Sequence, residues 1–300
     1  MRSHVSLESV GTLLDRAREG GYAVGYFESW NLESLQGVID AAEHAQSPMI
    51  IGFNGEFLSH PGRIANERVS WNAALGKAAA ESASVPVALL FNECAQDDWI
   101  REALAAGFSQ AMLDDPDAPH DEFVRRVKAL TAFAHERGAM FEAEFGELPC
   151  GASGTIEDEG CCLTDPDAAA EFVAETGIDI LGVSVGNVHV LVDGRLDLDL
   201  DHLSKLRDRV TVHLDLHGGT GISDASLKGA IALGVTKVCY GTYLKQSYLA
   251  AVRKALGQNE LNPHRLLGLG GPEDVMVAGR LAVRDAVSER IGMLGCCGKA

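Results

Sequence analysis

The stretch Val210-Thr-Val-His-Leu-Asp-Leu-His-Gly-Gly-Thr-Gly221 joins an apolar run to a glycine-rich turn. Because side chains alternate along a strand, His213, Asp215 and His217 are predicted to share one face. Seven similar apolar runs occur elsewhere in the chain, and amphipathic, helix-like segments separate them. The eight predicted strands are residues 22–27, 48–53, 86–91, 110–113, 140–145, 178–185, 210–216 and 236–240.

This alternation of strands and helices predicts an α/β fold. Strands that are apolar throughout indicate a parallel sheet buried on both faces. Eight strand–helix units in about 250 residues favour a (β/α)8 TIM barrel, whose active site lies at the C-terminal ends of the strands. A doubly wound sheet is the alternative, but no G-x-G-x-x-G motif follows the first strand. No linker interrupts the chain, so residues 1–300 are predicted to form a single domain, with extra C-terminal helices near 243–256 and 272–291 packed outside the barrel.

Composition limits the possible partners. The 300 residues are 46% hydrophobic and carry a formal charge of -18, which disfavours nucleic acids and anionic membranes and leaves a small molecule as the expected partner. No apolar run reaches the roughly 18 residues of a membrane span, and the N-terminus is too charged for a signal peptide. We therefore expect a cytoplasmic protein whose seven cysteines are reduced thiols.

Polar residues at the predicted strand ends suggest a metal site. His189 and His217 follow two neighbouring strands, and a nearby carboxylate would complete the three-ligand set with an open position that is typical of catalytic zinc. Glu93 is the predicted third ligand, and Glu144 is the next candidate. Alternatively, each histidine is a hydrogen-bonded residue at the barrel rim. Asp215 would either orient a metal-ligating histidine by a hydrogen bond or pair with another charge inside the barrel.

The turn after His217 has the composition of an anion site. Backbone N–H groups at Gly218 and Gly219 can approach a phosphate closely, and Thr220 adds a hydroxyl. A second hydroxyl, at Thr242, follows the predicted eighth strand. Barrels of this kind often bind phosphate with the loops after strands seven and eight. A purely structural turn is the alternative interpretation.

Several longer segments, taken together, resemble one known family. They are 22–53, GFSQAMLDD at 107–115, FEAEFGEL at 141–148, 164–189, 216–238 and GCCGKA at 295–300. Their order is similar to that of the class II, zinc-dependent fructose-bisphosphate and tagatose-bisphosphate aldolases. The resemblance implies a barrel in which three histidines hold zinc and an enediolate forms from a ketose phosphate. It also implies a homodimer or homotetramer.

Seven positions match functional motifs of that family. By resemblance, His189 and His217 correspond to the second and third zinc ligands. Residues 218–220 correspond to the loop that holds the substrate phosphate, and Thr242 to the threonine that assists it. Glu144 corresponds to the second glutamate of an E-A-E-L-G segment, which is associated with an alternative metal site.

Other positions depart from the family's pattern, so the chain resembles a divergent member that lacks the H-x-D-H motif. Where the family reads H-L-D-H-G, residues 90–94 read LFNEC, so that Asn92 replaces the catalytic aspartate and Glu93 replaces the first zinc histidine. An amide can hold a hydroxyl but cannot exchange a proton near neutral pH. Glutamate, in contrast, can ligate zinc beside two histidines.

Further departures fall on the expected substrate contacts. Cys239 replaces an asparagine expected to contact the substrate phosphate, Val190 replaces a glycine, and Glu28 replaces an asparagine of the first strand. Glu157 lies in the loop where the family keeps a mobile glutamate that shuttles a proton. The resemblance therefore implies Asn92 and Glu157 as the residues at the catalytic positions.

These observations predict a metal-dependent, aldolase-type lyase that cleaves or forms a carbon–carbon bond in a ketose phosphate or related hydroxy-ketone. The expected cofactor is Zn²⁺ or another divalent cation. One alternative is an isomerase or epimerase that uses the same enediolate chemistry. Another is a non-catalytic descendant that binds a sugar phosphate, and a Schiff-base aldolase using Lys237 is a minor option.

Overall fold

The fold is a closed barrel of eight parallel strands arranged in sequence order. The structure, a computed structural model, describes residues 7–146, 148, 163–189, 191 and 193–300. The predicted (β/α)8 TIM barrel is thus confirmed. The strands are β1 Val24–Glu28, β2 Met49–Asn54, β3 Val87–Cys94, β4 Gln110–Leu113, β5 Met140–Phe145, β6 Ile180–Val183, β7 His213–Leu216 and β8 Val235–Tyr240.

Helices surround the barrel, and local signals set their ends. In α7, for example, the Asp165 side chain accepts the Ala168 N–H, Pro166 occupies the first turn, and Gly177 ends the helix in the left-handed conformation. The helices in the described residues are α1 Val10–Gly20, α2 Leu32–Ala45, α3 Gly55–Ser59, α4 Val69–Ser82, α5 Asp97–Ala106, α6 His120–His135, α7 Pro166–Thr176, α8 Leu200–Arg209, α9 Asp224–Ala232, α10 Thr242–Leu256, α11 Pro263–Leu266 and α12 Val275–Leu294.

The two long C-terminal helices pack against different elements. Helix α10 packs mainly against α12, as predicted for an addition outside the barrel. Helix α12 contacts α2, α9 and β1, so it takes the place in the helical ring beside the first strand. Its buried face includes Val283, Val287 and Ile291. Both helices lie outside the strands, as predicted, and α12 in addition covers the barrel core with this apolar face.

The two ends of the barrel differ in chemistry. Helix α1 contacts β1, β3 and β8 and lies near the end where the strands begin. His213, the first residue of β7, meets Arg18 of that helix at 2.9 Å and Asp15 at 3.3 Å. Asp215 lies deeper and His217 follows the opposite end of the strand. The predicted shared face of these three residues therefore runs along the barrel interior, and only His217 reaches the C-terminal end.

Candidate metal centre

Three predicted ligands meet at the C-terminal ends of β3, β6 and β7. Glu93, His189 and His217 each offer a ligand atom, and these atoms lie within 4.8 Å of one another. Glu93 Oε1 is 2.7 Å from His217 Nδ1, and the two imidazole rings have centroids 5.4 Å apart. Two imidazoles and one carboxylate match the donor set of a catalytic zinc site.

An irregularity in β3 brings Glu93 into this group. The pairing of β3 with β4 shifts register between Phe91 and Cys94, and Glu93 has a φ of 45°, in the left-handed region. Such a backbone costs a glutamate about 1–3 kcal/mol and persists where the surroundings hold it. Here Asn54 Nδ2 donates a hydrogen bond to Glu93 Oε2 at 2.5 Å, while His217 holds the other oxygen. Sequence alternation alone does not reveal this bend.

The charges of the three residues are complementary. Burial disfavours a charged Glu93, but the hydrogen bond and charge of His217, followed by the charge of His189, hold its pKa at about 2. Burial likewise opposes the charged form of His189, yet Glu144 and Glu93 raise its pKa above the usual value. Glu144 Oε2 lies 3.5 Å from His189 Nε2, so Glu144 lies beside the three residues, and its role as a ligand stays a prediction.

Asp114 is a further member that the sequence analysis missed. It directly follows β4, and burial, together with repulsion from Glu93 and Glu144, raises its pKa to about 7. A bound divalent cation would relieve this repulsion and favour the ionised carboxylates. The residues therefore fit a cation chemically as well as geometrically. The same rule that identified Glu93, a polar residue at a strand end, would have found Asp114.

A fully buried network of charges lies behind His217. His217 Nε2 is 3.1 Å from Asp215 Oδ2 and 3.2 Å from Glu142 Oε1. Lys237 Nζ bridges the same two carboxylates, at 2.9 Å from Asp215 and 2.5 Å from Glu142. A carboxylate behind a ligating histidine fixes its tautomer and raises its basicity. Asp215 thus pairs with a charge inside the barrel, which is one of the two interpretations, and it also contacts His217.

Cys239 belongs to this network as well. Its thiol lies 3.1 Å from Asp215 Oδ2 and 4.0 Å from His217 Nε2, and burial raises its pKa to about 12. Asp215, His217 and Cys239 form a second cluster of possible ligand atoms. Lys237 already supplies a positive charge to Asp215, so a cation suits this cluster less well than the first.

The turn after His217 packs against the start of α10, and residues 218–220 and Thr242 together are called the cradle. Gly218 has a φ of 69°, and a Cβ there would overlap the carbonyl oxygen of Val188. At Gly219, a Cβ would lie 2.8 Å from the carbonyl oxygen of Cys239. The Tyr243 N–H donates to Thr220 Oγ1 at 3.3 Å, which ties the two loops together. Residues 218–220 and Thr242 therefore lie side by side, as predicted, whereas the Cys239 thiol points to Asp215.

Two further asparagines, Asn92 and Asn187, lie at this end of the barrel. Asn187, which the sequence analysis missed, donates to the backbone carbonyls of Val183 at 3.2 Å and His217 at 3.1 Å, and so links β6 to the turn after β7. Asn92 is buried, and its Oδ1 has no hydrogen-bond partner among the described residues. Glu157 and Val190 lie outside the described residues.

Comparison with known proteins identifies the family. Residues 8–299 match the family model described as fructose-bisphosphate aldolase class-II. The chain belongs to the class II fructose-bisphosphate aldolase family. It is 32% identical to a fructose-bisphosphate aldolase of Geobacillus stearothermophilus, and the match covers 99% of both chains. It is 35% identical to the uncharacterized protein YdjI of Escherichia coli K12, over 93% of this chain and 94% of that protein.

Solved structures agree with this assignment. The crystal structure of the YdjI aldolase from E. coli K12 superimposes with a TM-score of 0.80 at 33% identity, covering 98% of this chain and 99% of that one. The predicted family membership is thus confirmed. Within the class II aldolase family, metal dependence is typical, and this chain offers the donor set described above at the expected end of the barrel.

Proposed function

We propose that this class II aldolase family member is a metal-dependent lyase that acts on a carbon–carbon bond of a ketose phosphate or related hydroxy-ketone. The convergence of ligand atoms from Glu93, His189 and His217 within 4.8 Å carries the proposal. These residues would hold Zn²⁺ or another divalent cation. When bound, the ion polarises a carbonyl and makes the adjacent carbon more acidic, as an enediolate requires.

The other residues of the site bind the substrate and transfer protons. The cradle of residues 218–220 and Thr242 binds one end of the substrate. Asn92, whose Oδ1 has no other partner among the described residues, accepts a hydrogen bond from a substrate hydroxyl. An amide exchanges no proton near neutral pH, so the proton that the lyase reaction requires moves through Asp114 or Glu157. Replacing each acid by its amide separates the two, because only the true carrier should change the pH profile of turnover.

Metal content and cleavage together test the proposal. His217→Ala should lose bound metal and reduce aldehyde release from ketose phosphates by at least about 100-fold, since removing a metal ligand abolishes the ion's contribution. His264→Ala is the matched control, because His264 is exposed on α11. Circular dichroism verifies that both variants fold. The proposal fails if the purified protein binds no divalent cation, or if His217→Ala retains normal turnover.

Asn92 favours one second candidate, an isomerase or epimerase that stops at the enediolate. Such an enzyme needs a metal and a base but no acid at position 92. Deuterium exchange from solvent into a ketose or ketose phosphate, without aldehyde release, would identify it. Metal binding without exchange or cleavage of any ketose would instead indicate a descendant that only binds sugars.

We further infer a homodimer or homotetramer, as the family resemblance implies. No helix among the described residues is long and apolar enough to cross a membrane. Sedimentation equilibrium of the purified protein measures the number of subunits directly. A monomer at micromolar concentration would contradict the inference.

A further inference from the structure

A mostly buried arginine joins the two loops that follow β3 and β4. Arg126 lies on α6, and only 12% of its side chain is exposed. Its Nη2 donates a hydrogen bond to the carbonyl oxygen of Ala95 at 2.5 Å, and its Nη1 donates to Asp115 Oδ2 at 2.5 Å. Its Nε donates to Asp97 Oδ1, at the start of α5, at 2.9 Å. One planar guanidinium group therefore fixes the loop after β4 relative to the end of β3.

Each loop carries a residue of the metal centre next to a partner of this arginine. Glu93 precedes Ala95 by two residues, and Asp114 directly precedes Asp115. The two backbones also meet, since the Asp114 N–H donates to the carbonyl oxygen of Cys94 at 3.2 Å. The charge of Glu93 opposes ionisation of Asp114. The contacts between the loops therefore hold two carboxylates together against their repulsion.

The backbone at Glu93 needs support of this kind. Its φ of 45° lies in the left-handed region, and the pairing of β3 with β4 resumes only at Cys94, opposite Leu113. A strained backbone persists where its surroundings hold it on all sides. Asn54 and His217 hold the side chain of Glu93. The hydrogen bond from the arginine to the next loop residue but one holds the chain directly after the bend.

We infer that Arg126 is a positioning residue: it holds the loops after β3 and β4 at the spacing that keeps Glu93 and Asp114 in place at the metal centre. This inference rests on the proposed function, because it concerns the same metal. Arg126 lies outside the donor set and acts through the backbones of the two loops. Its fork of donors is what the role requires, since a lysine would supply the charge without the geometry.

Zinc affinity, measured by competition with a coloured chelator, tests the inference. Arg126→Met keeps an apolar stem but removes every donor, and it should weaken zinc binding at least about tenfold, as loss of an outer contact to a metal site commonly does. Removal of a positive charge alone would favour a bound cation, so weaker binding reports lost positioning. Arg126→Lys keeps the charge and should remain weakened at least about fivefold.

Matched controls separate this role from general stability. Arg125→Met removes the same charge at the neighbouring position of α6, where 71% of the side chain is exposed, and should change zinc affinity less than about twofold. Thermal unfolding identifies a temperature at which every variant is folded, and the titrations are carried out there. If Arg126→Met does not fold, Asp115→Asn takes its place, with Asp117→Asn in the same loop as the control for charge.

Two results would overturn the inference. One is a folded Arg126→Met, or its replacement Asp115→Asn, that binds zinc as tightly as its control. The other is wild-type affinity in Arg126→Lys, because the charge would then suffice. The titrations need no turnover, so a zinc-binding wild type without carbon–carbon cleavage refutes the proposed lyase function alone. A wild type that binds no divalent cation would refute both.

Discussion

Single residues define the chemistry at the end of β3. A carboxylate at position 93 brings one more negative charge to the site than an imidazole would, so a bound zinc ion would be a weaker Lewis acid. Glu93 keeps this charge because His217 and Asn54 each hold one of its oxygens. The neutral amide of Asn92 stands next to it. In the proposed function, metal binding and proton transfer therefore fall on different side chains.

Asp215 should act through His217. Asp215→Asn keeps the shape of the side chain but removes the charge 3.1 Å from His217 Nε2. Since a carboxylate behind a metal-ligating histidine orients it and raises its basicity, zinc affinity should fall by about 10- to 100-fold. Competition with a chromophoric chelator measures the affinity. Asp208→Asn, on the exposed side of α8, is the control, and equal zinc affinities in both variants would contradict this role.

Glu28 should make stability depend on pH. Burial raises its pKa from 4.5 to about 7, although Lys245 opposes this. The folded state therefore binds the Glu28 proton more tightly than the unfolded state does. The contribution of Glu28 to stability is complete below pH 4.5 and is lost as the pH rises through 7. The loss amounts to about 3 kcal/mol at most.

Urea denaturation between pH 5 and 8 measures this effect. The glutamine of Glu28→Gln does not titrate. The unfolding free energy of this variant should therefore increase relative to that of the wild type as the pH rises. Glu56→Gln, at an exposed position, should follow the wild-type curve. Parallel curves for Glu28→Gln and the wild type would contradict the assignment.

At the scale of elements, the strands were located correctly but their lengths were not. The runs 178–185 and 210–216 suggested longer strands than Ile180–Val183 and His213–Leu216. A strand of a parallel sheet extends only where both neighbouring strands continue beside it. The apolar character of a segment does not show where those neighbours end. Residues 184 and 185, left over after β6, enter the turn that carries His189, whereas residues 210–212 precede β7.

The turn after β7 should tolerate no side chain at its first glycine. Gly218→Ala meets both a left-handed φ of 69° and the carbonyl of Val188, so it should destabilise the fold by about 3 kcal/mol or more. Gly138 has a similar φ of 70° with no atom within 4 Å of a Cβ. Gly138→Ala should therefore cost only about 1 kcal/mol. Thermal unfolding compares the two, and equal losses would show that the close approach to Val188 is unimportant.

At the scale of the whole molecule, the barrel depends on the C-terminal helix. Ile291 is fully buried on α12, whereas Leu281 of the same helix is 38% exposed. If α12 belongs to the ring, Ile291→Ala should lower the free energy of unfolding by about 2–5 kcal/mol. Leu281→Ala should change it by less than about 1 kcal/mol. Similar small losses at both positions, in denaturant titrations, would indicate that α12 is a peripheral addition.

The amino-acid sequence alone determined the fold class, the position of the site at the strand ends, and the group Glu93, His189 and His217. It could do so because continuous apolar runs and polar residues at strand ends are local patterns. Only the tertiary structure showed that α12 completes the ring, that Asp114 joins the cluster, and that Glu28 lies against Gly241. These relations join residues far apart in the chain. Barrel closure brings them together, and no short stretch of sequence encodes it.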